Sequence, residues 1–149
     1  MSNVNDKVDI SPDHVNGEWV DRQIKCVIAG GRDFWDWDLL VETLERVRHE
    51  LGDWDITEVV SGTARGADTL GAKYAVDNDI PVKEFPANWD KYGRSAGYLR
   101  NEEMAEYADM VICFWDGQSR GTRHMIDLAK KHMCRLVVVK YEGEKIQVL

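Results

Sequence analysis

Two glycines, Gly62 and Gly66, lie between a predicted buried strand and a predicted helix in the stretch SGTARGAD, residues 61–68. The first amide groups of a helix lack intrahelical acceptors and lie at the positive end of its macrodipole, so an anion is stabilised there. Glycine allows a ligand to approach the backbone closely. We therefore predict that this turn binds a phosphate-bearing ligand. An ordinary capped turn between a strand and a helix is the alternative.

The other side chains of this stretch fit the same chemistry. Ser61 or Thr63 can cap the helix or donate to a ligand, and Arg65 can bind a phosphate through its guanidinium. Asp68 lies in the first helical turn, where it either stabilises the helix end or accepts a hydrogen bond from a ribose hydroxyl. The second of these roles would place a ribose beside the phosphate.

Two further glycine-containing turns strengthen this prediction. GGRDF, residues 30–34, follows the first long apolar run, and GQSRGT, residues 117–122, again combines glycines, hydroxyls and an arginine at a predicted helix start. The chain contains neither GxxxxGK[ST] nor GxGxxG. It therefore supports neither a P-loop nucleotide hydrolase nor an ordinary dinucleotide fold.

The elements that hold these turns alternate between the period of a strand and the period of a helix. Strands are predicted at residues 24–30, 57–62, 81–86, 110–115 and 135–140, with an edge strand at 145–149; helices are predicted at 36–51, 64–79, 97–109 and 121–133. This alternation predicts an α/β Rossmann-like three-layer sandwich with a mainly parallel sheet. Ligands bind such sheets at the carboxyl ends of the strands, so the turns are expected to line one rim.

Composition limits the class of partner. The chain has 149 residues, of which 44% are hydrophobic, and a net charge of −8. We predict one domain over residues 24–149 behind a loose tail over residues 1–23. The acidic balance disfavours nucleic acid as a partner and favours a small molecule.

The cellular location and the expectation of no metal both follow from motifs that the sequence lacks. No apolar run is long enough to span a membrane, and the amino-terminal residues do not resemble a signal peptide, so we predict a cytoplasmic protein. The three cysteines form no CxxC pair, which disfavours disulfides and zinc. His124 has no second metal ligand at a useful spacing. We predict neither a metal nor a cofactor.

The motifs GGRDF, SGTARGAD, GYLRNEEMAEYAD and GQSRGTRHMI, in this order, resemble the SLOG superfamily of Rossmann-like proteins. The resemblance runs from about residue 24 to 140 and is strongest to the YpsA-related branch, found in bacteria and phages. It extends more distantly to the lonely guy phosphoribohydrolases and the DNA-processing protein A core. It implies that the glycine-rich turns hold the phosphate of a nucleotide or a nucleotide-derived ligand. The family's glycine-rich positions fall on Gly30, Gly31, Arg32, Ser61, Gly62, Thr63, Gly66, Gly121 and Thr122.

The resemblance to the hydrolases implies a catalytic role for Arg100, which matches their catalytic arginine. Their catalytic glutamate falls on Met125, which cannot supply a carboxylate. Cleavage of an N-glycosidic bond passes through an oxocarbenium-like transition state that needs a carboxylate nearby. Asp116 and Asp68 are the candidates to replace the glutamate, whereas Glu102 and Glu103 fit the solvated face of a helix.

For several residues the sequence leaves more than one interpretation open. Asn101 lies on the helix stripe that faces the core or the rim, so it either braces the rim loops or contacts the ligand. Four aromatic residues lie at or just past strand ends, where a ring either stacks on a base, packs inside the fold or forms a contact in a homo-oligomer. These residues are Phe34, Trp35, Trp89 and Trp115.

The favoured function is binding of a phosphate-bearing nucleotide, or of a ligand derived from one, as a sensor or modulator. The site residues include Arg65, Asp68, Arg100 and Asn101 beside the glycine-rich turns. An enzyme that cleaves an N-glycosidic bond in such a ligand is one alternative. A protein-interaction module with a vestigial pocket is the other.

Overall fold

The structure, a computed structural model, describes residues 13–15, 18–20 and 22–143. The strands are β1 Asp13–Val15, β2 Glu18–Val20, β3 Arg22–Gly30, β4 Trp54–Ser61, β5 Val82–Glu84, β6 Met110–Trp115 and β7 Arg135–Lys140. The helices are α1 Trp37–Glu50, α2 Ala67–Asp77, α3 Trp89–Tyr92, α4 Ala96–Tyr107 and α5 Arg120–Lys131, with a 3₁₀ turn at Gly93–Ser95 between α3 and α4.

Five parallel strands form the central sheet in the order β5-β4-β3-β6-β7. This architecture confirms the predicted α/β Rossmann-like fold. The chain builds outward from β3 to one edge and then returns to add β6 on its other side, so the strand order reverses between β3 and β6. The crevice that opens at the carboxyl ends of these two strands is the expected position of a ligand.

Strand residues alternate between the two faces of the sheet, because successive side chains of a strand point in opposite directions. In β3, Ile24, Cys26 and Ile28 pack into a core with α1 and α2. Val27 and Ala29 pack into a second core with α4 and α5. The sheet is therefore covered on both faces, as a parallel sheet requires.

The amino-terminal segment was predicted to be a loose tail over residues 1–23. Within it, β1 and β2 pair as a short antiparallel hairpin, and β3 already begins at Arg22. Residues 1–12, 16–17 and 21 lie outside the described residues, as do residues 145–149, where an edge strand was predicted. Among the helices that the structure describes, none is long and apolar enough to cross a membrane.

Candidate functional site

A cavity of about 440 Å³ lies at the carboxyl ends of β3 and β6, where the strand order reverses. The turn after β3, the turn before α2, the first half of α4 and the start of α5 contribute to its wall. Eight of the predicted ligand-binding residues line it: Gly30, Gly31, Arg32, Asp68, Arg100, Asn101, Gly121 and Thr122. We call it the first cavity. The sheet topology therefore brings together segments that are distant in sequence.

The turn after β3 and the turn before α2 touch directly at Gly31 and Gly66. The Gly31 carbonyl oxygen accepts hydrogen bonds from the amides of Phe34 and Ala67, each at 3.2 Å. Gly66 has a φ of +74°, and a Cβ atom there would lie 2.2 Å from the Gly31 oxygen. Only glycine therefore fits at position 66, and its role is to let the two turns pack.

Arg100 projects from α4, and two nitrogen atoms of its guanidinium are held by hydrogen bonds. Its Nε donates to Asn101 Oδ1 at 3.0 Å, and its Nη1 donates to the Gly62 carbonyl oxygen. Asn101 is buried, and its Nδ2 lies 3.2 Å from Nδ1 of His124. Because the asparagine oxygen already accepts from Arg100, its amide donates to a neutral His124. Asn101 thus braces the rim and fixes the direction of Arg100.

Among the residues that the structure describes, the guanidinium groups of Arg100 and Arg32 retain donors without an acceptor. Within residues 22–143, Arg32 forms neither a hydrogen bond nor an ion pair, and Arg100 uses only its Nε and Nη1. Burial and the charge of Arg32 lower the pKa of Arg100, whereas the charge of Asp68 raises it. An anion bound between the two arginines would therefore relieve their mutual repulsion.

The carboxylates that line the same cavity are already bound by protein donors. Asp33 Oδ1 accepts from the Tyr141 hydroxyl at 2.5 Å, and Asp68 Oδ2 accepts from the Ala64 amide at 3.0 Å. Asp116 Oδ1 accepts from the amides of Gln118 and Ser119, both at 2.8 Å. The site therefore combines carboxylates that have partners with guanidinium groups that have donors to spare.

Two backbone amides of the turn before α2 already donate hydrogen bonds to side chains next to the turn. The sequence predicts that this turn binds a phosphate. Ser61 is buried and its Oγ accepts from the Thr63 amide at 3.1 Å, while Asp68 occupies the Ala64 amide. Neither Ser61 nor Gly66 lines the first cavity. These two predicted residues shape the turn, and the backbone of residues 62–66 has fewer amides available for a phosphate than its composition suggested.

The start of α5 is more open. Ser119 caps the helix by accepting from the Thr122 amide, at 3.4 Å, and Trp115 Nε1 donates to the Ser119 carbonyl at 3.1 Å. Within the described part of the chain the Gly121 amide forms no hydrogen bond, and a Cβ atom on Gly121 would meet nothing within 4 Å. A helix end that faces the cavity in this way favours an anion.

A second cavity of about 380 Å³ adjoins the first and shares Arg32, Ala64 and Arg100 with it. Its wall also contains the three predicted residues that have not yet been placed, Gly62, Thr63 and Arg65. A Cβ atom on Gly62 would lie 2.8 Å from Arg100 Nη1 and 2.9 Å from Asp68 Oδ2. Because it has no Cβ atom, Gly62 leaves room for the Arg100 guanidinium and the Asp68 carboxyl where the two cavities adjoin.

Comparison with known proteins identifies the family. The family model described as "YspA, cpYpsA-related SLOG family" matches residues 24–92. The gene 61 protein of Mycobacterium phage D29 is 34% identical over 117 aligned positions, which cover 72% of this chain and 89% of that protein. The chain belongs to this SLOG family. No solved structure matches it significantly.

In this SLOG chain, Met125 occupies the position that the resemblance to the lonely guy hydrolases assigns to their catalytic glutamate. Met125 lines the first cavity but is 1% exposed and packs in the core between the sheet and α5. The other candidate carboxylates divide into two groups. Asp68 and Asp116 line the first cavity, whereas Glu102 lies outside it and pairs with His132 and Lys131. Glu103 is exposed.

One cluster outside the cavities has the residue types of a metal site. The ligand atoms of Glu102, Glu106 and His132 lie within 4.8 Å of one another. Glu102 Oε1 accepts from His132 Nε2 at 3.0 Å, and Lys131 Nζ lies 3.5 Å from the same oxygen. The cluster is therefore already a network of hydrogen bonds and ion pairs. His124, for which no second metal ligand was expected, forms a hydrogen bond with Asn101.

The free energy of unfolding of the SLOG chain depends on pH through the carboxyl group of Asp68. Burial raises the pKa of this carboxyl above its ordinary 3.8, and the hydrogen bond from Ala64 and the charges of Arg100 and Arg32 oppose the change. The folded state therefore holds the proton more tightly than the unfolded chain. The resulting stabilisation is complete below the ordinary pKa and is lost as the pH rises through the folded pKa.

We expect the free energy of unfolding of the wild type to rise relative to that of Asp68→Asn as the pH falls from 7 to 4. Asparagine keeps the acceptor for the Ala64 amide but does not titrate. Urea denaturation of both proteins across this range measures the difference. A difference that stays constant, or that falls toward low pH, would show that the pKa of Asp68 is not raised.

Proposed function

We propose that the chain binds a phosphate-bearing nucleotide or a nucleotide-derived ligand in the first cavity, as a sensor or modulator. The observation that carries this proposal is the pair Arg32 and Arg100: both residues line the cavity, and within the described residues their guanidinium groups have donors left over. The open amino-terminal end of α5 supports it, because its amides and its positive dipole end face the same space. The phosphate lies between the two arginines and the start of α5.

Membership of the SLOG family is consistent with this chemistry, and the acidic net charge of −8 agrees with a small-molecule partner. The local cations are what a phosphate needs. A nucleic acid would need a more extended basic surface. The phosphate therefore belongs to a mononucleotide or a molecule of similar size.

The expected result of a direct test is measurable binding of AMP, GMP, CMP or UMP to the wild type by titration calorimetry. We expect Gly121→Leu to weaken it by about tenfold or more, because the new side chain enters the cavity beside the helix end. Arg123→Leu is the control: Arg123 is exposed on the same helix and lines neither cavity. Equal losses in the two variants, or no binding by the wild type, would contradict the proposal.

Cleavage of an N-glycosidic bond is the second candidate, favoured by one observation: Asp33, Asp68 and Asp116 line the same cavity as Arg100. The position of the hydrolase glutamate is occupied by a buried Met125, so we favour binding without turnover. Chromatography of the calorimetry mixtures separates the two, because an enzyme releases free base faster than a buffer control. If no nucleotide changes the melting temperature, an interaction module with a vestigial pocket is favoured instead.

A further inference from the structure

The second cavity is an extension of the phosphate site rather than a separate hollow. Its wall contains Arg32, Ala64 and Arg100, which also line the first cavity. Beyond these shared residues the wall contains Gly62, Thr63 and Arg65 together with an apolar part formed by Pro86, Ala87 and Trp89. A ligand whose phosphate lies at the two arginines therefore has a flat, apolar surface within reach of its other end.

Trp89 is held in position although it lies on the surface. It begins α3, whose residues are all outside the core, and Asn88 caps this helix by accepting from the Lys91 amide at 3.1 Å. One edge of the indole borders Gly97 on α4, where an added Cβ atom would lie 3.5 Å from Cη2. Half of the side chain remains exposed. A large apolar ring exposed to water has an unfavourable hydration free energy. A ligand that covers the Trp89 indole would offset it.

The other aromatic residues considered from the sequence have different surroundings. Phe34 is buried and stacks on Phe114, with ring centroids 4.5 Å apart. Trp115 donates its indole N–H to the Ser119 carbonyl. Trp35 is 54% exposed but lines neither cavity. Among these four residues, Trp89 alone lines one of the two described cavities.

We infer that the second cavity binds the base of the nucleotide, which stacks on the indole of Trp89 while the phosphate lies at Arg32 and Arg100. This inference rests on the proposed function and adds the part of the ligand that the first cavity does not explain. An indole face beside a cationic rim suits a planar heterocycle joined to an anion. Pro86 and Ala87 add apolar surface to the same wall without competing hydrogen-bonding side chains.

The same wall predicts little discrimination between bases. The side chains that can hydrogen-bond to a base edge are those of Thr63 and Arg65, and both are exposed. Stacking tolerates every base because each has a π-face, and a larger ring system stacks over more area. We therefore expect AMP and GMP to bind more tightly than CMP and UMP, with small differences within each pair.

The test compares AMP with ribose 5-phosphate, which has the sugar and the phosphate but no base. The wild type is expected to bind AMP about tenfold or more tightly than ribose 5-phosphate, in line with the effect of base–aromatic stacking. In Trp89→Ala the two affinities become similar, and that for ribose 5-phosphate is unchanged. Trp89→Phe retains most of the preference for AMP. Trp35→Ala, which removes a ring of similar exposure, behaves as the wild type.

The outcomes separate this inference from the proposed function. If the wild type binds AMP and ribose 5-phosphate equally, or if Trp89→Ala keeps the preference for AMP, the base does not lie on Trp89 and only this inference is overturned. If the wild type binds neither molecule, the proposed function fails together with it. Melting temperatures of the variants check folding, and the exposure of both tryptophans predicts small changes.

Discussion

Replacing Arg100 by lysine is expected to weaken binding of AMP by about 1–3 kcal/mol, which is roughly 5- to 150-fold, although the charge is kept. The arginine is fixed by Asn101 Oδ1 and by the Gly62 carbonyl oxygen, and it lines both cavities. An ammonium group cannot bind these two acceptors in the planar arrangement of the guanidinium and still face a phosphate. The loss therefore comes from geometry rather than from charge.

Titration calorimetry with AMP on the wild type and on Arg100→Lys measures this effect. Arg46→Lys is the matched control, since Arg46 is exposed and pairs with Glu42 on the same helix, at 3.8 Å. Arg100→Lys also removes the guanidinium donors from Asn101 Oδ1 and the Gly62 carbonyl oxygen. The titration is therefore run well below the melting temperature of each variant. Equal affinities for AMP would remove Arg100 from the site.

Replacing Gly66 by alanine is expected to lower the free energy of unfolding by at least about 2 kcal/mol. The residue has a φ of +74°, and its new Cβ atom would lie 2.2 Å from the Gly31 oxygen and 2.8 Å from Arg32 Cα. All of these neighbours are backbone atoms, so no side-chain rotation relieves the contact. The turns that carry Gly31 and Arg32 must move apart instead.

Gly52→Ala is the control for this second prediction. Gly52 has a similar φ of +64° with nothing within 4 Å of its added Cβ atom, so alanine there suffers only the backbone strain, about 1–2 kcal/mol. Chemical denaturation of both variants then compares a glycine that has close backbone neighbours with one that has none. A loss in Gly66→Ala no larger than that in Gly52→Ala would mean that the two turns do not depend on their close packing.

The order of strands and helices was predictable because the apolar periods are clear. The strand predicted at residues 110–115 is observed as Met110–Trp115, and that at 135–140 as Arg135–Lys140. Helix α3 was not predicted, because four residues with none buried carry no apolar period. The second cavity was missed with it, since Pro86, Ala87 and Trp89 belong to this irregular connection. Trp89 itself was among the aromatic candidates.

The residue types of the site were predictable, but their roles depend on tertiary contacts. Gly66 and Asp68 both fit a phosphate-binding turn, yet Gly66 lets two backbones pack closely, and Asp68 is 6% exposed and hydrogen-bonded within its own turn. Arg32 and Arg100 are far apart in sequence, and only the sheet topology brings them to one cavity. Sequence patterns report burial along one element; they do not report which partner fills the space beside it.

A crystal structure determined with AMP at saturating concentration tests the central claim most directly. The account predicts the phosphate within hydrogen-bonding distance of the Arg32 and Arg100 guanidinium groups, beside the start of α5 in the first cavity. AMP bound elsewhere on the chain, or a first cavity without AMP when calorimetry shows binding, would contradict it.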